Sequence, residues 1–153
     1  GMTHPILSFR VDAVPVAQPR QRQRVATVGG RAMAMNYTPT KDKVNVYKAA
    51  LQAAACQAMN DSGRVLKIDQ PLRVDLCFLL PRPKKLLTLK LANQLIPYSR
   101  KPDVDNFIKS TLDALNGIIW VDDSQVVEIG ARKFYAPQDV GVGVTIEIWE
   151  VNQ

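Results

Sequence analysis

Two short groups of carboxylates are the residues most able to do chemistry: PDVDN at 102–106 and DDS at 122–124. They sit in a chain of 153 residues with a net charge of +6, where acids are scarce. Asp103 precedes a helical pattern, and Asp105 and Lys109 lie one turn apart on it. Asp122 and Asp123 occupy a turn that can fold back on that helix, because only Gly117 and a short apolar run intervene. Two carboxylates from the helix start can thus meet one or two from the turn. Converging carboxylates repel unless a cation holds them, and oxygen-only ligands suit Mg²⁺ or Mn²⁺. Such an ion can activate water at a phosphodiester. Lys109 is spaced to neutralise charge developing on the phosphate. Taken singly, each group has a plainer reading, as a helix cap and as a turn. An EF-hand loop is excluded, since Phe107 and Ile108 stand where an oxygen ligand and glycine are required.

The elements that must position these residues follow from periodicity. Ile6–Val14 alternates as a strand. Residues 17–39 read as a basic loop with a short hairpin near Gly29 and Gly30. Its Arg20, Arg22 and Arg24 fall at every second position, on one side of an extended segment. Thr40 can cap a helix over Lys41–Met59, whose Val44, Tyr47, Leu51 and Ala55 form an apolar stripe. Asp61, Ser62 and Gly63 end it. Leu72–Leu80 is a strand stopped by Pro81 and Pro83. Residues 82–101 form a basic, functional loop with a short helix around Leu87–Leu95. A second helix covers Val104–Asn116, with Ile108, Leu112 and Leu115 as its buried stripe, and Gly117 closes it. Ile118–Val121 is a short strand, Gln125–Tyr135 a long one and Val140–Val151 the last. This order predicts an α+β fold in a single domain over residues 1–153, with two helices on a largely antiparallel or mixed sheet.

Composition narrows the chemistry. His4 is the only histidine, and no Cys-x-x-Cys pair exists. Zinc sites and Ser-His-Asp or Cys-His catalysis are excluded. Cys56 and Cys77 read as free buried thiols. No apolar run approaches the ~20 residues that span a bilayer. The start of the chain shows no secretory pattern, so a cytoplasmic location is expected. Gly1, ahead of Met2, reads as a tag remnant. Charge is blocked along the chain: five basic residues and no acid from Ala13 to Lys41, six and no acid from Arg82 to Lys101, then six acids from Asp103 to Glu128. That pattern fits a phosphate-binding surface beside a cation site.

The run KPDVDNFIKSTLDALNGIIWVDDSQV, residues 101–126, resembles the RusA family of Holliday junction resolvases. It carries a PDxDN box, a lysine four residues after the second aspartate, a D-A-L helix end and a DD turn followed by Gln. QPRQRQR resembles the family's basic segment, and RKFY at 132–135 its lysine-containing strand. The resemblance implies a Mg²⁺-dependent homodimer, with Mn²⁺ as a substitute, that cuts opposed strands of branched DNA. It matches Asp103, Asp105 and Asp123 to the family's essential, metal-binding carboxylates and Lys109 to its catalytic lysine. Asn106 and Asp122 match accompanying positions. Arg20, Arg22, Arg24, Lys101, Arg132 and Lys133 are the expected DNA contacts. A prophage origin is also implied. The arginine triplet is denser than the usual pattern, which bears on junction contacts rather than on chemistry. Two competing readings are a non-catalytic DNA-binding protein and a nucleotide-sugar transferase. No glycine-rich nucleotide turn or βαβ alternation supports the latter, and no nucleotide cofactor is expected.

Overall fold

The structure is a computed structural model and describes residues 4–19, 22–28, 31–37 and 41–151. Its elements are β1 (Leu7–Val11), β2 (Arg22–Val28), β3 (Arg31–Tyr37), α1 (Lys41–Asp61), β4 (Leu72–Leu80), β5 (Ile96–Pro97), α2 (Val104–Leu115), β6 (Val126–Tyr135) and β7 (Gly143–Glu150). Five strands form one sheet in the order β1-β7-β4-β6-β5. β4 and β6 pair parallel, and the other three neighbouring pairs are antiparallel. The sheet is therefore mixed and the class is α+β. β2 and β3 form a separate antiparallel hairpin, fuller than the short one expected. The expected turn at Gly29 and Gly30, and the cap Thr40, lie outside the described residues.

One face of the sheet makes the core. Leu72, Val74, Leu76, Phe78 and Leu80 alternate along β4 and are buried, as period-two patterning requires. On α1 the stripe Val44, Tyr47, Leu51 and Ala55 is buried as expected and continues to Met59. The helix ends in a Schellman motif. Gly63 takes φ +74°, its N–H reaches Asn60 O, and the Arg64 N–H reaches Met59 O. Tyr47 is a core residue whose hydroxyl meets Thr111 Oγ1 at 2.8 Å, and burial pushes its phenol pKa up.

Several expectations need correction. The buried face of α2 is Phe107, Ser110, Thr111, Ala114 and Leu115, while Ile108 and Leu112 are only partly covered. Two polar side chains enter the core because they are satisfied there. Thr111 meets Tyr47, and Ser110 Oγ donates to Val16 O at 2.6 Å. Phe107 stacks on Phe78 with ring centroids 5.3 Å apart. Residues 118–121 form a turn whose only pairings are isolated bridges from Trp120 to Ile68 and Asn116. The helix expected around Leu87–Leu95 is absent, and only Lys84–Leu86 makes a short 3₁₀ turn. The guanidinium of Arg82 donates to the carbonyls of Leu86, Leu91, Gln94 and Ala136, which ties this loop together along a non-helical path. Both cysteines are free, but Cys56 is exposed on α1 and only Cys77 is partly buried. No helix among the described residues is long and apolar enough to cross a membrane.

Candidate active site

The acidic groups lie at the start of α2 and in a turn beyond its end. At its start, Asp103 takes the extended conformation of an N-cap residue, with φ −69° and ψ 151°. Its backbone oxygen accepts the Asn106 N–H, and Asp105 Oδ1 accepts the same N–H at 3.0 Å. Asp103, Asp105 and Lys109 are exposed. Their backbone is held from outside the helix. Gln18 N–H donates to Asn106 O, which straps the segment after β1 across the first turn. Lys133, on β6, reaches under the preceding loop. Its ammonium donates to Arg100 O at 2.6 Å and Pro102 O at 2.8 Å. The same ammonium lies 5.3 Å from the centroid of Tyr98, whose ring tilts against Tyr135. The Lys101–Pro102 peptide is cis. Between the strap, Pro81, Tyr98 and Lys101–Asp103 runs an open groove of about 520 Å³. A mostly apolar groove with Asp103 on its rim can take the flat or sugar part of a ligand while the carboxylate faces the polar part.

Beyond the end of α2 the turn is built differently. Asp122 Oδ2 accepts the Ser124 N–H, and Gln125 Oε1 returns to the Asp122 N–H, a capping box around the 3₁₀ turn Asp123–Gln125. Gln125 also accepts from Val121 N–H and donates to Ile68 O and Gln70 O, so one side chain fixes the turn to the chain before β4. Asp123 is half-buried and accepts the Trp120 Nε1–H at 2.7 Å. Burial raises its pKa, and the charges of Asp113 and Asp122 raise it further against the lowering effect of Trp120. Asp122 moves the other way, held below the usual carboxylate range by the hydroxyl and backbone N–H of Ser124.

The structure brings Asp103, Asp105 and Asn106 together at one place, and Asp122 and Asp123 at another. Asp123 faces Asp113, which is eight residues along α2 from Asp105, or roughly 12 Å of helix. Among the described residues, no three His, Cys, Asp or Glu side chains gather closely enough to hold a metal ion. The donors at the α2 start are nevertheless of the right chemistry for Mg²⁺. That ion is commonly bound through one or two carboxylates and keeps several waters.

Of the expected DNA contacts, Lys101 and Arg132 are exposed, while Lys133 is drawn onto backbone carbonyls. Arg22 and Arg24 lie two apart on β2, and Arg20 falls outside the described residues. Sequence reasoning missed Asp113, Trp120 and the bracing role of Gln125. Asp113 had a signal: it stands four residues beyond Lys109 and eight beyond Asp105, on the same side of the helix.

The family model described as Endodeoxyribonuclease RusA matches residues 12–147, and the chain belongs to that family. It is also similar to "Uncharacterized protein YqaN" of Bacillus subtilis (strain 168). The two are 32% identical over 137 residues, covering 86% of this chain and 89% of the relative.

Proposed function

We propose that this chain is a Mg²⁺-dependent, homodimeric endonuclease that resolves four-way DNA junctions by paired cuts, with Mn²⁺ able to replace Mg²⁺. The observation that carries the reading is the exposed PDVDN box at the head of α2, beside a groove and one turn from Lys109, in a chain of an endodeoxyribonuclease family. Asp103 and Asp105 would hold the ion. When bound, it supplies an activated water and neutralises charge at the phosphate. Lys109 faces the same phosphate and stabilises the charge that builds on its oxygens. Lys101, Arg132 and the β2 arginines hold the arms through phosphates, which fixes orientation without reading sequence.

The test is strand cleavage of a synthetic mobile four-way junction beside a linear duplex of matched sequence, with and without Mg²⁺. Paired cuts in the junction alone, lost without the metal, are expected. Tight junction binding with no cuts under either metal would make this a DNA-binding protein instead.

A further inference from the structure

We propose that the loop between β4 and β5 is a wedge that parts strands at the centre of branched DNA, with Leu89 entering between bases and Lys84, Lys85 and Lys90 taking the flanking phosphates. This deepens the nuclease reading above, on which it rests, by naming the side chain that tells a branch from a plain duplex.

The loop is built to hold its shape. The Leu91 N–H donates to Thr88 O at 2.9 Å, which closes a turn with Leu89 and Lys90 at its two corners. The guanidinium of Arg82 gathers the carbonyls of Leu86, Leu91 and Gln94 and joins them to Ala136 O. Gln138 N–H donates to Ala92 O, and Asp139 N–H to Asn93 Oδ1, so the loop is also tied to the chain after β6. Ala92 is its buried foot.

On this fixed turn Leu89 is 99% exposed, and Leu87 and Leu95 of the same loop are exposed as well. One exposed leucine is ordinary. Three on a single braced loop are not, least of all with one at a turn corner, where Gly, Pro and small polar residues predominate. Charge identifies what they meet. Lys84, Lys85 and Lys90 are exposed, and no acid occurs from Arg82 to Lys101. DNA is anionic outside and apolar within, so its phosphates suit the lysines and its base faces suit the leucine. In a continuous duplex those faces are stacked against each other. At a branch the stack is interrupted, and an inserted leucine has little stacking to undo.

The loop also stands beside the candidate cutting site. β5 ends it by pairing with Phe134 and Tyr135, and only Tyr98, Ser99 and Arg100 then separate β5 from Lys101. At the foot of the loop lies a second cleft of about 410 Å³, whose walls include Lys85, Arg100 and Tyr135. It shares Pro81 and Tyr98 with the groove that runs to Asp103. A strand parted at Leu89 thus has a path to the carboxylates, with cations for its phosphates and proline and tyrosine walls for its sugars and bases.

The test uses a four-way junction carrying 2-aminopurine at the branch point, beside a duplex of matched sequence, with no divalent metal so that nothing is cut. Wild type should prefer the junction and raise the fluorescence as the base unstacks. Leu89→Ser should melt as the wild type does, since the side chain lies in solvent. Its affinity for the junction should fall about tenfold relative to its affinity for the duplex, as for one leucine no longer buried, and most of the fluorescence rise should go. Leu89→Phe should keep the rise. A triple variant, Lys84→Ala, Lys85→Ala and Lys90→Ala, should weaken binding to both DNAs alike, lower the log–log salt slope by about two to three units and keep the rise at saturation. An unchanged preference and an unchanged rise for Leu89→Ser, beside a wild type that prefers the junction, would overturn the wedge and leave the nuclease reading standing. A wild type that neither prefers the junction nor cuts it with Mg²⁺ would overturn that reading, and the wedge with it.

Discussion

The two ends of α2 hold the same chemical group in opposite ways. At the start, Asp103 and Asp105 are exposed, and rigidity comes from the backbone: Gln18 from one side and Lys133 from the other hold the carbonyls around them. At the far end, the side chains themselves are held, Asp123 by Trp120 and Asp122 by Ser124. An open carboxylate on a fixed backbone is suited to exchange ligands. A braced, half-buried one is suited to present a single oxygen in one direction. The difference shows that motif residues of one type need not share an environment; within the far turn itself, burial raises the pKa of Asp123 while hydrogen bonds from Ser124 lower that of Asp122.

Substitutions sharpen that contrast. The largest effect is expected for Asp105→Asn, which should lower junction cleavage by about two to three orders of magnitude while leaving the melting temperature unchanged. A clear loss of stability would mean that the open end is structural after all. Gln125→Ala comes next. It strips four hydrogen bonds from the braced turn; Val121 N–H and Ile68 O still pair with each other, but Asp122 N–H and Gln70 O must find other partners, so a loss of about 1–3 kcal/mol is expected by urea unfolding. Lys133→Met keeps the side-chain length but frees Arg100 O and Pro102 O. About 1–2 kcal/mol should be lost, with cleavage falling more than junction binding if the lysine positions Asp103 rather than a phosphate.

The smallest effect is one of pH. The raised pKa of Asp123 means that the folded chain binds this proton more tightly than the unfolded one. Its contribution to stability therefore falls as pH rises from the ordinary carboxylate value through the raised one, and stays unfavourable at neutral pH. Asp123→Asn should stabilise the protein near neutrality, and the gain should vanish in acid below the ordinary value. Asp122 has the reverse slope: its contribution is present above the ordinary value and is lost as pH falls through its depressed pKa. Thermal melts of the two Asn variants across the acid range would show the opposition, and parallel curves would erase it.

What could be read from the sequence was what local chemistry dictates. The α1 stripe, the glycine-closed helix ends, the start of α2 after Asp103 and the DDS turn depend on neighbours a few residues away. The parallel β4–β6 pairing was open, because strand partners distant in the chain leave no local mark. The α2 stripe was misread because Ser110 and Thr111 are polar by type, and only their partners Val16 and Tyr47 make them core residues. The candidate carboxylates and Lys109 were placed on the right elements, whereas Arg22 and Arg24 lie on β2 rather than in a loop. The division of the carboxylates between two ends was hidden, since helix length and turn direction, not residue type, decide how far Asp105 lies from Asp123.

The inward turn of Arg82 changes how the positive charge of this surface should be counted. Each cation that neutralises a phosphate releases about 0.9 of a counterion from duplex DNA, and that release sets the ionic-strength dependence of binding. Arg82 donates to four carbonyls and Lys133 to two, so neither is free to displace a counterion. The affinity of this chain for DNA should therefore decline with added salt less steeply than its basic residues suggest, by about two units in the log–log slope.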